Sequence, residues 1–203
     1  MANSSTVSAG DDILASQYND LREDVLDNST GHNHEGTDGK ILDEDALSFQ
    51  VMKIKASGTF TDTVAISSLD GNTDIVYKLI IYGQSTNTPD MDLRFNTDSG
   101  SNYHYSRTNL SSGSTTYSAS SSASATGINI AVAISDCFMC TLFIMLKSGK
   151  TRGLTFQTVD GTSQYHFGGG AWTNTADNIT VINIILSSVI TSGYYYLYAN
   201  TQM

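Results

Sequence analysis

Two histidines that stand two residues apart, His32 and His34, are the side chains of this sequence best spaced for chemistry. They lie between Gly31 and Gly36 in a polar segment. In an extended chain, residues i and i+2 point to the same side, so both imidazoles would share one face. One chain offers two nitrogen ligands, whereas three parallel chains around an axis would offer six. The spacing therefore predicts a trimer with an axial transition-metal ion held by His32 and His34 of each chain.

Iron or nickel is the predicted ion, because six imidazoles form an octahedral set and zinc prefers four ligands. The alternative is that this Gly-rich polar segment is a solvated linker without metal. Cys137 and Cys140 have the Cys-x-x-Cys spacing of some zinc and redox sites. They lie in a strand-like apolar run, however, and residues i and i+3 of a strand face opposite sides. We therefore predict two separate strand thiols, made in a reducing compartment.

The other patterns of catalytic residues point away from an enzyme. The sequence has no Gly-x-Ser-x-Gly elbow, phosphate-binding loop or dinucleotide fingerprint. A glycosidase needs two carboxylates placed across a sugar. The acids of the C-terminal region stand mostly beside turn residues, where Asp usually caps its own backbone: they are Asp90, Asp92, Asp98, Asp136, Asp160 and Asp177. His104 and His166, each beside tyrosines, are predicted to be surface or interface residues.

Aromatic residues form a second candidate site, which comprises Tyr103, Tyr105, Tyr165 and Trp172. Aromatic faces with polar tips suit amphipathic ligands such as sugars. These four residues are therefore predicted to form a receptor or carbohydrate surface. Two alternatives remain open: they line a contact between protomers, or the inward members of an alternating strand pattern belong to the core.

A helix is predicted over residues 11–27, where Leu14, Tyr18, Leu21 and Val25 recur at the spacing of a short coiled coil. A helix of this length is marginal alone and needs a partner. The predicted partners are the sister chains of a trimer, and the alternative is the β-domain of the same chain.

From Gln50 onward the apolar period changes to two, and turn signals separate roughly ten short strands. This pattern predicts a mainly β domain over residues 50–203, an antiparallel β-sandwich or jelly roll. Residues 1–49 are predicted to be an attachment segment, with the helix at 11–27 and the His-x-His neck at 30–36.

Three further segments bear on this organisation. A second short helix is predicted at residues 43–46. The Ser- and Ala-rich stretch from Ser111 to Thr126 is either a linker or an edge strand. Residues 128–146 have the length of a membrane span, but they contain Asp136. A carboxylate near the middle of a span costs about 3 kcal/mol, so two buried strands joined around Ser135 and Asp136 explain the segment better.

The composition limits the classes of partner. The chain has 203 residues, and 20 acidic against 10 basic residues give a net charge of −10. This balance disfavours binding to nucleic acid and to anionic membrane surfaces. The N-terminus lacks the basic and apolar regions of a signal peptide, so synthesis in the cytoplasm without membrane insertion is expected.

Two sets of segments carry a resemblance to a known class of protein. Residues 15–22 (ASQYNDLR) followed by residues 30–36 (TGHNHEG) resemble the N-terminal region of many tailed-bacteriophage structural proteins. In some phage tail fibres, histidine pairs of this kind bind an iron ion on the three-fold axis. A resemblance to a β-domain of phage tail and virion proteins lies in residues 92–103, 118–126, 168–172 and 194–198.

The resemblance implies a non-enzymatic, trimeric fibre, spike or decoration protein on the virion surface. It implies attachment through the N-terminus to other virion proteins (capsid, portal, collar or tail) and a β-domain exposed to host-surface glycans. The first alternative is a capsid or tail decoration protein that only stabilises the particle. A polysaccharide-degrading tailspike and a lectin-like module are the alternatives from other classes.

Overall fold

A computed structural model of the protein describes residues 52–111, 117–146, 149–162 and 164–201. The predicted coiled-coil seam, the His-x-His neck and the short helix at 43–46 lie outside these ranges. The domain boundary near Gln50 therefore stays a prediction, although residues 51–203 form one compact unit. Within the described ranges, no helix is long and apolar enough to cross a membrane.

The described residues form twelve β-strands and no helix. In chain order they are β1 (Lys53–Phe60), β2 (Val64–Ile66), β3 (Asp74–Ser85), β4 (Met91–Phe95), β5 (Tyr103–Ser111), β6 (Tyr117–Ala125), β7 (Ile128–Ala131), β8 (Asp136–Met145), β9 (Arg152–Asp160), β10 (Gln164–Trp172), β11 (Ile182–Leu186) and β12 (Ser192–Thr201).

The strands form two antiparallel sheets of unequal size. The larger sheet has eight strands in the order β1-β12-β3-β8-β9-β10-β5-β6, and the smaller has four in the order β2-β11-β4-β7. Apolar side chains from both sheets make one buried cluster, which includes Leu79 and Leu142 of the larger sheet and Leu93 and Ile184 of the smaller. The structure confirms a mainly β, antiparallel, sandwich-like fold.

The segment from residue 128 to 146 forms two strands, as expected, and not a span. Strand β7 ends at Ala131 in the smaller sheet, and β8 starts at Asp136 in the larger one. Both cysteines lie on β8, where Cys137 is exposed and Cys140 is buried. Burial raises the pKa of the Cys140 thiol to about 12. The two thiols are free and point to opposite sides of the strand, as the i, i+3 spacing predicts.

The low-complexity stretch forms an edge strand, which was one of its two predicted states. Among the described strands, β6 pairs with β5 alone, at the end of the larger sheet. Most of its side chains are small and exposed. Its other edge is therefore the outer boundary of the described sheet on that side.

Candidate functional site

Two residues of the predicted carbohydrate surface, Tyr103 and Trp172, lie in the core. Both are fully buried. They stand opposite each other in the pairing of β5 with β10, with ring centroids 6.4 Å apart, and Phe95 of the smaller sheet packs against both rings. The prediction that they face a ligand is wrong, because the strand period turns both side chains towards the opposite sheet.

Hydrogen bonds fix this aromatic group. The indole Nε1 of Trp172 donates to Asp98 Oδ2 at 2.7 Å. The Tyr103 hydroxyl accepts from the amide of Phe95 at 2.9 Å and donates to the Asp98 carbonyl at 3.1 Å. The guanidinium of Arg152 lies 5.4 Å from the centre of the Trp172 ring. All polar atoms of the two aromatic side chains are thus satisfied inside the fold, which is the signature of a structural role.

The other two predicted residues differ from each other. Tyr105 has the same parity as Tyr103 and is half-buried against the core. Tyr165 has the opposite parity and is 45% exposed. Only Tyr165 of the four thus presents its ring on the outer side of the larger sheet.

Tyr165 belongs to a broad apolar surface, which we call the aromatic face. It is the side of the larger sheet that points away from the smaller one. On the six strands from β12 to β5 in the order of the larger sheet, its most exposed large side chains are each between 38% and 62% exposed. They are Tyr82, Met139, Phe143, Met145, Tyr165, Phe167 and Tyr194. Strand pairing joins them: Tyr194 stands opposite Tyr82, and Tyr82 stands opposite Met139.

A ridge of three tyrosines occupies one half of the aromatic face. The rings of Tyr82 and Tyr194 stack with centroids 5.1 Å apart, and those of Tyr82 and Tyr196 with centroids 6.2 Å apart. A hydrogen bond with Tyr196 raises the pKa of Tyr82, so this hydroxyl stays protonated near neutral pH. The ridge is uncharged, and its rings stand side by side on β3 and β12.

A shallow groove of about 500 Å³ occupies the other half. Phe143 of β8 and Phe167 of β10 flank it, and the side chains of Thr155 and Gln157 on β9 lie between them. Together with Thr141 of β8, these residues give the groove apolar sides and a polar base.

The aromatic face carries almost no charge. The outward residues of β3, β5, β8, β9, β10 and β12 include no Asp or Glu, one lysine (Lys78) and one exposed histidine (His104). The Lys78 ammonium lies 5.7 Å from the centre of the Phe143 ring. Exposed apolar patches of this breadth usually mark contacts with other macromolecules.

The sequence analysis predicted only Tyr165 of this face. The apolar pattern of β3, however, indicates such a surface. Strand β3 is apolar on both sides, since Val76 and Ile80 alternate with Leu79 and Ile81. A strand that is apolar on both sides usually has both faces covered. In this chain the smaller sheet covers the inner side of β3, and the outer side is exposed among the described residues.

Carboxylates beside turn residues hold those turns, as predicted for Asp160, and Asp70 in the turn before β3 does the same. Hydrogen bonds from Thr73, Asn178 and the Asn72 amide lower the pKa of Asp70 to about 2. Asp160 Oδ1 accepts from the amides of Thr162 and Gln164, both at 3.0 Å. These carboxylates cap local backbone, as Asp commonly does in turns.

Asp98, Asp90 and Asp92 also accept hydrogen bonds, some of them from distant segments. Burial opposes ionisation of Asp98, but hydrogen bonds from Trp172, Gly100 and Asn102 outweigh it and lower the pKa of Asp98. Asp90 Oδ1 accepts from the Ala133 amide at 2.9 Å. Asp92 Oδ1 accepts from Asn129 Nδ2.

The prediction that His166 is a surface or interface residue is also wrong, because its side chain is fully buried within the chain. Its Nδ1 lies 2.8 Å from Asn109 Oδ1, which assigns the proton to Nδ1. Its Nε2 and two nitrogens of the buried Arg107, Nε and Nη1, have no hydrogen-bond partner. Burial and the positive charge of Arg107 lower the pKa of His166. This inner polar cluster is a neutral imidazole next to a desolvated guanidinium.

No set of three or more His, Cys, Asp or Glu side chains in the described ranges is placed to hold a metal ion. The predicted metal ligands His32 and His34 lie outside those ranges, as do Leu14, Tyr18, Leu21 and Val25. Of the predicted sites, only the aromatic surface lies in the described ranges. Of its four residues, only Tyr165 is exposed on the outer side of the larger sheet.

No protein-family model matches the chain. No curated protein is significantly similar to it either.

Proposed function

We propose that the chain is a non-enzymatic structural protein of a tailed-phage virion, a trimer that attaches through residues 1–49 and displays its β-domain on the particle. The observation that carries this proposal is the aromatic face. A side of a sheet that lacks carboxylates and exposes seven large apolar side chains suits a subunit of an assembly better than a free monomer. The resemblance of residues 15–22 and 30–36 to phage structural proteins gives the class of assembly.

The distribution of charge supports attachment through the N-terminal segment. Residues 1–50 contain 11 of the 20 acids but only two basic residues, whereas residues 51–203 contain nine acids and eight basic residues. An acidic segment is attracted to a basic surface on its partner. The proposed anchor is therefore a basic patch of a capsid, portal, collar or tail protein.

Within this class we favour a decoration that stabilises the particle over a fibre that binds host glycans. The burial of Tyr103 and Trp172 removes two of the four residues that motivated a sugar platform. Host contact remains the second candidate, since Phe143 and Phe167 flank a groove with a polar base.

Particles with and without this chain distinguish the two roles. We expect an antibody against residues 51–203 to label the outside of purified virions. Particles that lack the chain should lose titre faster on heating, while their rate of adsorption to cells is unchanged. Slower adsorption with normal heat resistance would support host contact, and the absence of the chain from particles would contradict both roles.

The axial metal is part of the same proposal. Purified trimer should contain about one iron or nickel ion per three chains, because His32 and His34 of each chain together supply six imidazoles. Combined His32→Ala and His34→Ala substitutions should remove the ion and lower the melting temperature, since a ligand that binds only the trimer stabilises it. Elemental analysis and thermal melts measure both effects.

His104→Ala is the matched control for the metal, because His104 is an exposed histidine elsewhere in the chain. It should leave the metal content unchanged. A metal-free wild-type trimer whose melting temperature equals that of the double variant would show that residues 30–36 are a linker.

A further inference from the structure

We infer that the aromatic face is the contact between copies of this chain, with the tyrosine ridge of one β-domain packed into the Phe143–Phe167 groove of the next. This inference rests on the proposed trimer and assigns the surface that forms it. Three features of the face identify a second copy as its occupant: its area, its charge and its division into two unlike halves.

The area of the face exceeds what a small ligand would cover. Six neighbouring strands, from β12 to β5 in the order of the larger sheet, carry the face. Strands lie about 4.8 Å apart and rise about 3.3 Å per residue. Six strands of seven residues therefore have a flat area of about 650 Å², to which projecting side chains add accessible surface. A standard interface takes about 800 Å² from each partner. In a ring each copy divides the face between two neighbours, so each contact takes less than this and the proposed contacts of residues 1–49 would add to it, whereas a small ligand would leave most of the face in water.

The charge of the face suits a partner of the same sequence. Residues 51–203 contain nine acids and eight basic residues, so the β-domain is close to neutral and does not strongly repel a second copy. The outward residues of these six strands carry no carboxylate. Two copies that meet through this face bring together no pair of negative groups and bury few charges, which would otherwise cost desolvation energy.

The two halves of the face complement each other in shape. The ridge of Tyr82, Tyr194 and Tyr196 projects on β3 and β12, and the groove lies between β8 and β10. A contact that joins unlike patches is heterologous, and it closes into a ring when each copy is rotated by a fixed angle. A ring of three satisfies every ridge and every groove, as a two-fold pair also would, and the three-fold symmetry proposed from residues 1–49 selects the ring.

The test places one charge in each half of the face. Phe167→Glu alters the groove and Tyr194→Glu alters the ridge, at side chains that are 46% and 40% exposed in the single chain. Either carboxylate would be buried without a partner in the trimer. Each variant should therefore shift the assembly from about three times 21.8 kDa to the monomer at micromolar concentration, as measured by light scattering.

Val189→Glu is the matched control, because Val189 is 54% exposed and lies between β11 and β12, away from the face. It should remain a trimer. Circular dichroism of all three variants should show the wild-type strand content, which separates dissociation from misfolding. If a face variant loses that content, Thr108→Glu, a half-buried outward position opposite Phe167, replaces it.

The other outcomes distinguish failure of the proposed contact surface from failure of the proposed trimeric virion protein. Trimeric face variants beside a trimeric wild type would overturn the inference and leave the proposed function intact. A monomeric wild type would overturn the trimer and the inference together. A monomeric wild type whose face variants also fail to join virions would assign the face to another virion protein.

Discussion

Replacing Trp172 with alanine should lower the free energy of unfolding by about 4 kcal/mol, the usual cost of removing a large buried aromatic side chain. The Trp172 ring fills the space between Phe95, Tyr103 and the Arg152 guanidinium. Its loss leaves a cavity and removes the hydrogen bond to Asp98. Denaturant titration of the purified chain measures the effect.

Two further variants separate the causes of this loss. Trp172→Phe keeps most of the ring volume but cannot donate to Asp98, so it should cost about 1–3 kcal/mol. Tyr117→Ala removes an aromatic ring that is 74% exposed on the edge strand β6, and its cost should stay near 0.5 kcal/mol. Equal stability of Trp172→Ala and Tyr117→Ala would contradict the buried position of Trp172.

Acid should destabilise the protein through His166. The free energy of unfolding falls as pH falls because the pKa of this imidazole is lower in the folded chain than in the unfolded chain. Burial and Arg107 hold the pKa of His166 below 6.5, and the charges of Asp160 and Asp90 only partly oppose them. The unfolded chain therefore binds a proton before the folded chain does. The stability that neutral His166 provides is complete above about pH 6.5 and is lost as pH falls towards the lower folded pKa, with a slope of up to about 1.4 kcal/mol per pH unit.

His166→Gln should remove this slope, because glutamine does not titrate and can still donate to Asn109 Oδ1. The difference in unfolding free energy between wild type and variant should narrow or reverse between pH 7 and pH 5. Thr155→Gln, at an exposed non-titrating position on β9, should run parallel to the wild type. If His166→Gln also runs parallel, the imidazole is protonated in the folded chain or accessible to water.

The sequence predicted the fold class because period-two alternation reports which side of a strand meets the core. Leu79 and Ile81 are buried as their positions imply. The cost of a carboxylate at Asp136 in a membrane span, and not this period, correctly divided residues 128–146 into two strands. The period did not reveal the pairing of β1 with β12, because contacts between distant segments leave no mark on local periodicity.

The aromatic site could be predicted only in part, for a related reason. Tyr103, Tyr165 and Trp172 look equivalent as residue types beside turns, but the register of β5 with β10 decides which of them face inward. Tyr165 pairs with Leu110 on the outer side, and Trp172 pairs with Tyr103 on the inner side. The residue type shows only that a side chain is aromatic. Whether it lies on the outer surface depends on which side of its strand it takes relative to the core.

The position of β12 between β1 and β3 constrains when this protein can fold during synthesis. The first described strand, Lys53–Phe60, has its only partner in Ser192–Thr201, so its hydrogen bonds wait until nearly the whole domain has left the ribosome. Strand β2 waits in the same way for β11. Until then the aromatic strands of the larger sheet are exposed on an incomplete chain, which is the condition that favours aggregation. Rapid release of completed chains, or protection by a chaperone, would therefore govern the yield of this protein in the cell.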